Sequence, residues 1–182
     1  MSKNWVVTKI NKKFFLRVGT KVFKCQIGKS GYKIYTKKQE GDQATPIGKW
    51  RLKSIYYRSD KVLRPKVKNK TFKINKITKN CGWCDDTKSS CYNKYINLNK
   101  DYNIKNFNFE KLWRDDQAYD LVIETSCNTS PIIKGKGSAI FVHCSFSDSR
   151  ETAGCVSVMK KDLIFLIKNI SNKAYLEIKN NF

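Results

Sequence analysis

The sequence predicts a mostly β fold with one packing helix, and three features predict it. Short β-branched and aromatic runs recur along the chain, turn residues separate them, and a single segment carries an apolar period near 3.6. In the first forty residues, Trp5-Val6-Val7 and Lys9-Ile10 lead to Phe14–Val18, and Gly19-Thr20 separates that run from Val22–Cys25, which reads as a tight hairpin. Gly41-Asp42 through Pro46-Ile47-Gly48 has turn chemistry and precedes a strand over Lys49–Tyr57. From about Arg58 to Asn108 the chain is polar and irregular, longer than a passive connection inside a domain. Strands return at Tyr119–Glu124 and Ser138–His143, with Gly135 and Gly137 turning into the second. Met159–Ile170 is the helix: Leu163, Ile164, Leu166, Ile167 and Ile170 form its apolar stripe, opposite Lys160, Lys161 and Lys168. A short strand over Ala174–Ile178 closes the chain. With no internal repeat and no composition break, residues 1–182 are expected to be one domain with an insertion at about 58–115.

Composition allows a core and limits the rest. At 182 residues, 40% hydrophobic and 13% aromatic, the chain has enough apolar surface to fold despite a formal net charge of +22. The charge comes mainly from Lys, scattered among Asn and Ile, a mixture that AT-rich coding also favours. It reads as a solvated surface or as attraction to a polyanion. The first eighteen residues lack the apolar stretch of a signal peptide, and the longest apolar run, Leu163–Ile167, cannot cross a bilayer. The expectation is therefore a soluble, cytoplasmic monomer without a membrane span, reaching a periplasm or wall only by non-classical export. The seven cysteines, an odd set without regular spacing, read as reduced thiols.

The site begins from a scarcity: His143 is the one histidine. It ends the apolar run Ala139-Ile140-Phe141-Val142, where a polar loop opens, and Thr152-Ala153-Gly154-Cys155-Val156 follows just ahead of the helix. A lone His is commonly a structural hydrogen-bonded residue and a lone Cys a small buried hydrophobe, so the pair gains weight only from its surroundings.

Those surroundings resemble the YkuD-type L,D-transpeptidase catalytic domain. The carriers are Ser138–His143, Thr152–Val156 and Gly41–Trp50 with its Thr45-Pro46-Ile47-Gly48. Tyr56–Asp60, Gly82–Asp86, Tyr92-Asn93 and Leu112-Trp113-Arg114 are similar to a short subgroup without signal peptides. The resemblance implies a β-sandwich of mixed strands, one main helix after Cys155 and a long irregular lid loop. It implies Cys155 as nucleophile and His143 as its base, with the sulfur within hydrogen-bonding distance of the imidazole. Backbone groups of Gly154, Ala153 and Cys144 would form the oxyanion hole or orient His143 through the Cys144 carbonyl. Arg58, Tyr57, Trp83, Asp85, Tyr92, Asn93, Arg150 and Thr152 are candidate substrate contacts. The implied partners are peptidoglycan stem peptides or muropeptides, with no cofactor and no metal.

The residue types suit that chemistry. A thiol with pKa about 8.5 becomes a nucleophile when a neighbouring imidazole takes its proton. Amide N–H groups at a sharp glycine turn can receive the developing oxyanion. The chain departs from the common pattern at Cys144, Ala153 and Ser157; the last stands where an Arg usually follows. Arg58, Arg114 or Arg150 could replace that Arg against a carboxylate. Three other readings compete. Water as acceptor makes the same site an L,D-carboxypeptidase. Cys81-Gly82-Trp83-Cys84 is half of a zinc site. The Lys excess with interleaved Tyr32, Tyr35, Trp50 and Tyr56-Tyr57 could bind nucleic acid, but no recognisable motif accompanies it.

Overall fold

The N-terminal strands are set by their turns. In the computed structural model, which describes residues 4–68, 72–100, 107–145 and 151–179, β1 (Asn4–Ile10) pairs antiparallel with β2 (Lys13–Val18). Asn11 and Lys12 between them both take positive φ, 47° and 65°, the two-residue turn whose twist matches the flanking strands. Gly19-Thr20 then turns β2 into β3 (Lys21–Gln26), with Val18 opposite Lys21 as expected for a tight hairpin.

A long strand closes the architecture. β4 (Tyr32–Ile34) pairs parallel with the start of β5 (Thr45–Arg58). Thr45–Gly48, expected as loop, is therefore already strand. Further along, β5 pairs with β13 (Tyr175–Ile178) through Gly48–Arg51 and with β10 (Leu121–Thr125) through Leu52–Tyr57. β10 continues through β11 (Phe141–Ser145) and β12 (Val156–Met159) to β3, β2, β1 and β13, so the path of paired strands returns to β5. β6 (Ile74–Ile77) lies on the other edge of β5 from β10.

The helix, α1 (Lys160–Lys168), is shorter than its periodic pattern. Leu163, Leu166, Ile167 and Ile170 are buried, whereas Ile164 stays exposed. Phe165 leaves the stripe to meet Phe23, with ring centroids 6.1 Å apart.

The stretch read as irregular carries several short strands among its turns. Residues 58–115 hold β6 and a small antiparallel sheet in which β7 (Cys81–Cys84) is flanked by β8 (Tyr95–Asn97) and β9 (Phe109–Lys111). Cys81, Trp83, Cys84 and Ile96 are buried while Tyr95 stays exposed, and the lysines and asparagines around them concealed three short strands. The mostly β, one-helix fold class holds.

Strand alternation creates two cores. Leu121, Ile123, Val142, Cys144, Val156 and Val158 join α1 and the N-terminal strands in one cluster. Val122, Phe141 and Cys155 face the other way, into a second cluster with Trp83, Leu112 and Tyr119. The small sheet thus covers the face that carries Cys155.

One backbone contact fixes the entry to that face. Ile27 O accepts from Thr152 N at 3.0 Å, and Lys29 N donates to Thr152 O at 2.9 Å. Gly28 between them sits so close to the start of β5 that an added Cβ would meet Gln43 O at 2.3 Å. Gly28→Ala must push these segments apart, and overpacking of this kind costs about 1–3 kcal/mol. A urea midpoint equal to that of the parent would contradict the close approach.

Candidate active site

The parallel β11–β12 ladder decides which groups share a surface. Val142 lies opposite Val156 and His143 opposite Ser157. Cys155, just before β12, is therefore level with Phe141, and His143 is two residues further along. With strands about 4.8 Å apart and about 3.3 Å per residue, such diagonal positions are about 8 Å apart at the backbone. The thiol and the imidazole flank a gap on one face.

In the resting structure the sulfur is engaged elsewhere. Cys155 Sγ donates to Ala139 O at 3.0 Å and accepts from Phe141 N–H at 3.3 Å. Among the hydrogen bonds of the described residues it has none to His143. The direct contact expected from the sequence is replaced by two backbone contacts, because Phe141 and not His143 is level with the sulfur.

The segment bearing Ala139 is not strand either, although Ser138–His143 reads as one. Ala139 has φ 50°, which breaks the ladder, and β11 starts at Phe141. Side chains replace the missing partners. Asn128 Nδ2 donates to Gly137 O at 2.8 Å, Ala139 N donates to Asn93 Oδ1 at 3.1 Å, and Thr125 Oγ1 donates to Ile140 O at 2.6 Å.

His143 is oriented by the backbone. Its Nδ1 lies 2.8 Å from Cys144 O, a contact that places the proton on Nδ1 and the lone pair on Nε2. Cys144 N in turn donates to Ala118 O at 3.0 Å. Tyr119 stands edge-on to the imidazole at 5.3 Å, and its hydroxyl donates to Glu110 Oε1 at 2.7 Å. Burial pushes the His143 pKa down to about 4. Burial, then the charge of Glu110, pushes the Cys155 thiol up to about 12. Both groups are therefore neutral at rest.

The turn that carries Cys155 is fastened by Thr152. Its Oγ1 donates to Cys155 O at 2.7 Å and accepts from Gly154 N at 3.1 Å. Gly154 has φ 139°, and a Cβ there would lie 3.1 Å from Ala44 O. Gly154 is thus needed for conformation, and its N–H is taken, which corrects its expected role as an oxyanion donor. Within this turn the N–H groups of Ala153 and Cys155 have no acceptor among the described residues. Thr45 Oγ1, which accepts from Gly28 N at 2.8 Å, adds a second, long contact to Cys155 O at 3.5 Å.

Cys155, His143, Cys144, Ala153 and Thr152 line one cavity of about 490 Å³, within the range of small-ligand sites. Lys38, Glu40, Asp85, Glu110, Arg114, Asp116, Glu151 and Ser157 also line it, so its wall is acidic in a chain of net charge +22. Ser157, opposite His143, has a buried hydroxyl without a partner among the described residues. Asp85 keeps one such carboxylate oxygen, and burial raises its pKa. Arg114 is held by Asp116 at 2.9 and 2.7 Å.

The other candidates lie elsewhere. Arg58 does not line the cavity: it is 4% exposed, paired with Asp60 at 2.8 and 2.7 Å, and its guanidinium lies 3.5 Å from the Trp113 ring centroid. It is a packing residue, not a carboxylate ligand. Tyr57 belongs to the core on the opposite face. Trp83 is buried against Phe141, centroids 4.9 Å apart. The Tyr92 hydroxyl donates to Glu40, and Asn93 is 4% exposed among backbone groups. Trp83, Tyr92 and Asn93 support the wall without forming it. Arg150 lies outside the described residues. Gly28, Thr45, Lys38, Ala139, Tyr119 and Glu110 were missed as site residues; of these, Thr45, in its Thr-Pro-x-Gly segment, and Ala139, in Ser138–His143, stood in motifs.

All seven cysteines are free thiols. Cys81 Sγ is 3.1 Å from Tyr95 Oη and 3.2 Å from Thr78 N. Among the described residues no group of three or more His, Cys, Asp or Glu is placed to hold a metal ion.

A family model of the L,D-transpeptidase catalytic domain, YkuD, matches residues 3–178. No curated protein matches the chain.

The depressed His143 pKa has a sign that can be measured. The folded ring resists protonation down to about pH 4, whereas in the unfolded chain it protonates below about 6.5. Its contribution is complete above pH 6.5 and is lost as pH falls toward 4, on the order of 1–3 kcal/mol. His143→Gln should flatten the dependence of Tm on pH between 4 and 6.5; an unchanged slope would place the ring in solvent.

Proposed function

The chain belongs to the YkuD L,D-transpeptidase catalytic-domain family, and on that premise we propose that it transfers acyl groups of peptidoglycan stem peptides through a Cys155 thioester. The observation that carries this reading is the shared cavity: Cys155 and His143 both line it, and the imidazole's Nδ1 is held on Cys144 O at 2.8 Å.

In the first half-reaction the thiol leaves Ala139 O and gives its proton to His143 Nε2 as sulfur attacks the peptide carbonyl. The N–H groups of Ala153 and Cys155 receive the oxyanion. The C–N bond then breaks, and the leaving amine takes the proton from His143. In the second half an incoming amine attacks the thioester, His143 takes its proton, and the C–S bond breaks with return of the proton to sulfur.

Substrate groups follow from the wall. Arg114 lines the cavity, Asp116 takes its Nε and Nη2, and the Nη1 edge, with only a long 3.4 Å contact to Glu110, is the part that suits the donor's carboxylate. Glu40, Asp85 and Glu151 attract the ammonium form of an acceptor. The segment 58–115 acts as a lid, with Trp83 and Tyr119 backing the site against water and favouring amine over water as acceptor.

The test uses purified muropeptides, with products resolved by mass. Cross-linked dimers are expected from the parent protein and none from Cys155→Ala. Shortened monomers would make it an L,D-carboxypeptidase, and unaltered muropeptides would remove both activities.

A further inference from the structure

Asn93 occupies an unusual position for a residue in a polar insertion. It is 4% exposed and has φ 55°. Every hydrogen-bonding position of its side chain is used. Oδ1 accepts from Trp83 Nε1 at 2.9 Å and Ala139 N at 3.1 Å. Nδ2 donates to Asn128 O at 2.7 Å and Cys127 O at 3.3 Å. Two donors on one side and two carbonyls on the other fix the amide's orientation, and no other side chain of this size supplies both.

The Ala139 end of this network reaches the nucleophile. Ala139 holds the left-handed conformation at φ 50°, which is uncommon for a residue with a Cβ. The same peptide segment presents Ala139 O to Cys155 Sγ at 3.0 Å. Asn93 does not line the cavity, so its amide has no route to substrate except through this backbone.

We infer that Asn93 is a positioning residue for Cys155: by pinning the Ala139 amide it aims the Ala139 carbonyl at the thiol and fixes the sulfur at the edge of the gap facing His143. Two consequences have opposite signs. Losing the carbonyl acceptor removes a bond that favours the protonated thiol, so the thiolate forms more easily. Losing the anchor also frees the side chain, so the sulfur is less often in line with a bound carbonyl. Reactivity toward a small electrophile rises while turnover falls.

The experiment alkylates the full-length protein with iodoacetamide across pH and follows the Cys155 peptide by mass, which separates it from the other six thiols. In Asn93→Ala the alkylation midpoint should move at least one pH unit lower than in the parent. Ala139→Gly keeps the carbonyl but relaxes its backbone; it should move the midpoint in the same direction and carries the test if Asn93→Ala does not fold. The turnover arm rests on the acyl-transfer reading. There kcat should fall tenfold or more with KM within twofold. A lower Tm with an unmoved midpoint would make Asn93 a packing residue, and a raised KM with unchanged kcat would make it a substrate contact. Either result overturns the inference. If the parent protein has no muropeptide activity, the alkylation arm still decides the role of Asn93.

Discussion

The register of the parallel β11–β12 ladder is the constraint on which the site depends. With Val142 opposite Val156, the valines share the core that holds α1, and Cys155, His143 and Ser157 are turned to the other face. A slip of one residue would bury the imidazole among aliphatic side chains and turn the valines into the cavity. The register is in turn held from outside by Thr152, clamped between Ile27 and Lys29 at the one place where Gly28 allows two backbones to approach so closely. Cys155 and His143 therefore inherit their separation from strand geometry, not from a bond to each other.

That separation agrees with their electrostatics. A thiol pushed up to about 12 and an imidazole pushed down to about 4 do not form a resting ion pair. Burial disfavours the charged form of each, and the Cys144 and Ala139 carbonyls receive protons that water would otherwise bind. In the proposed reaction, charge has to develop on groups already oriented for it. The cavity wall has the opposite character, with carboxylates at Glu40, Asp85, Glu110, Asp116 and Glu151. Against a net charge of +22, this is a local inversion that scattered surface lysines do not produce. The polyanion reading of the lysines concerns the outer surface; the cavity is built for something else.

What the sequence made legible was local or categorical. The hairpin at Gly19-Thr20, the strand periods and the amphipathic helix all follow from neighbouring residues. His143 and Cys155 gained weight as a pair only because Ser138–His143 and Thr152–Val156 resemble the YkuD-type pattern. The failures share a cause as well. Arg58 looked like a carboxylate ligand, but Asp60 two residues on and the Trp113 ring take its guanidinium. Tyr57 and Tyr56 are adjacent yet belong to different cores, and only the pleat decides which is which. The small sheet around Cys81–Cys84 has strands of three or four residues, too short for alternation to outweigh the polar composition around them. Ser138-Ala139-Ile140 has the composition of a strand, and a positive φ at an alanine leaves no mark in sequence.

That last failure is the instructive one. A strand at 138–140 would have satisfied its N–H and C=O groups through a ladder, and its carbonyls would have pointed along the sheet. Here the ladder is given up, and buried backbone groups left unpaired would each cost about 1–3 kcal/mol. Asn128, Asn93 and Thr125 supply the missing partners one at a time. Ladder bonds are uniform and hold a regular backbone; side-chain bonds are individual and can hold an irregular one. The irregular backbone is what brings Ala139 O to the thiol. One of its three supports, Asn93, comes from the polar segment 58–115, which is why that segment is tied to the chemistry without lining the cavity at Asn93. The polar residues that made the insertion look unstructured include the one that shapes the backbone around Cys155.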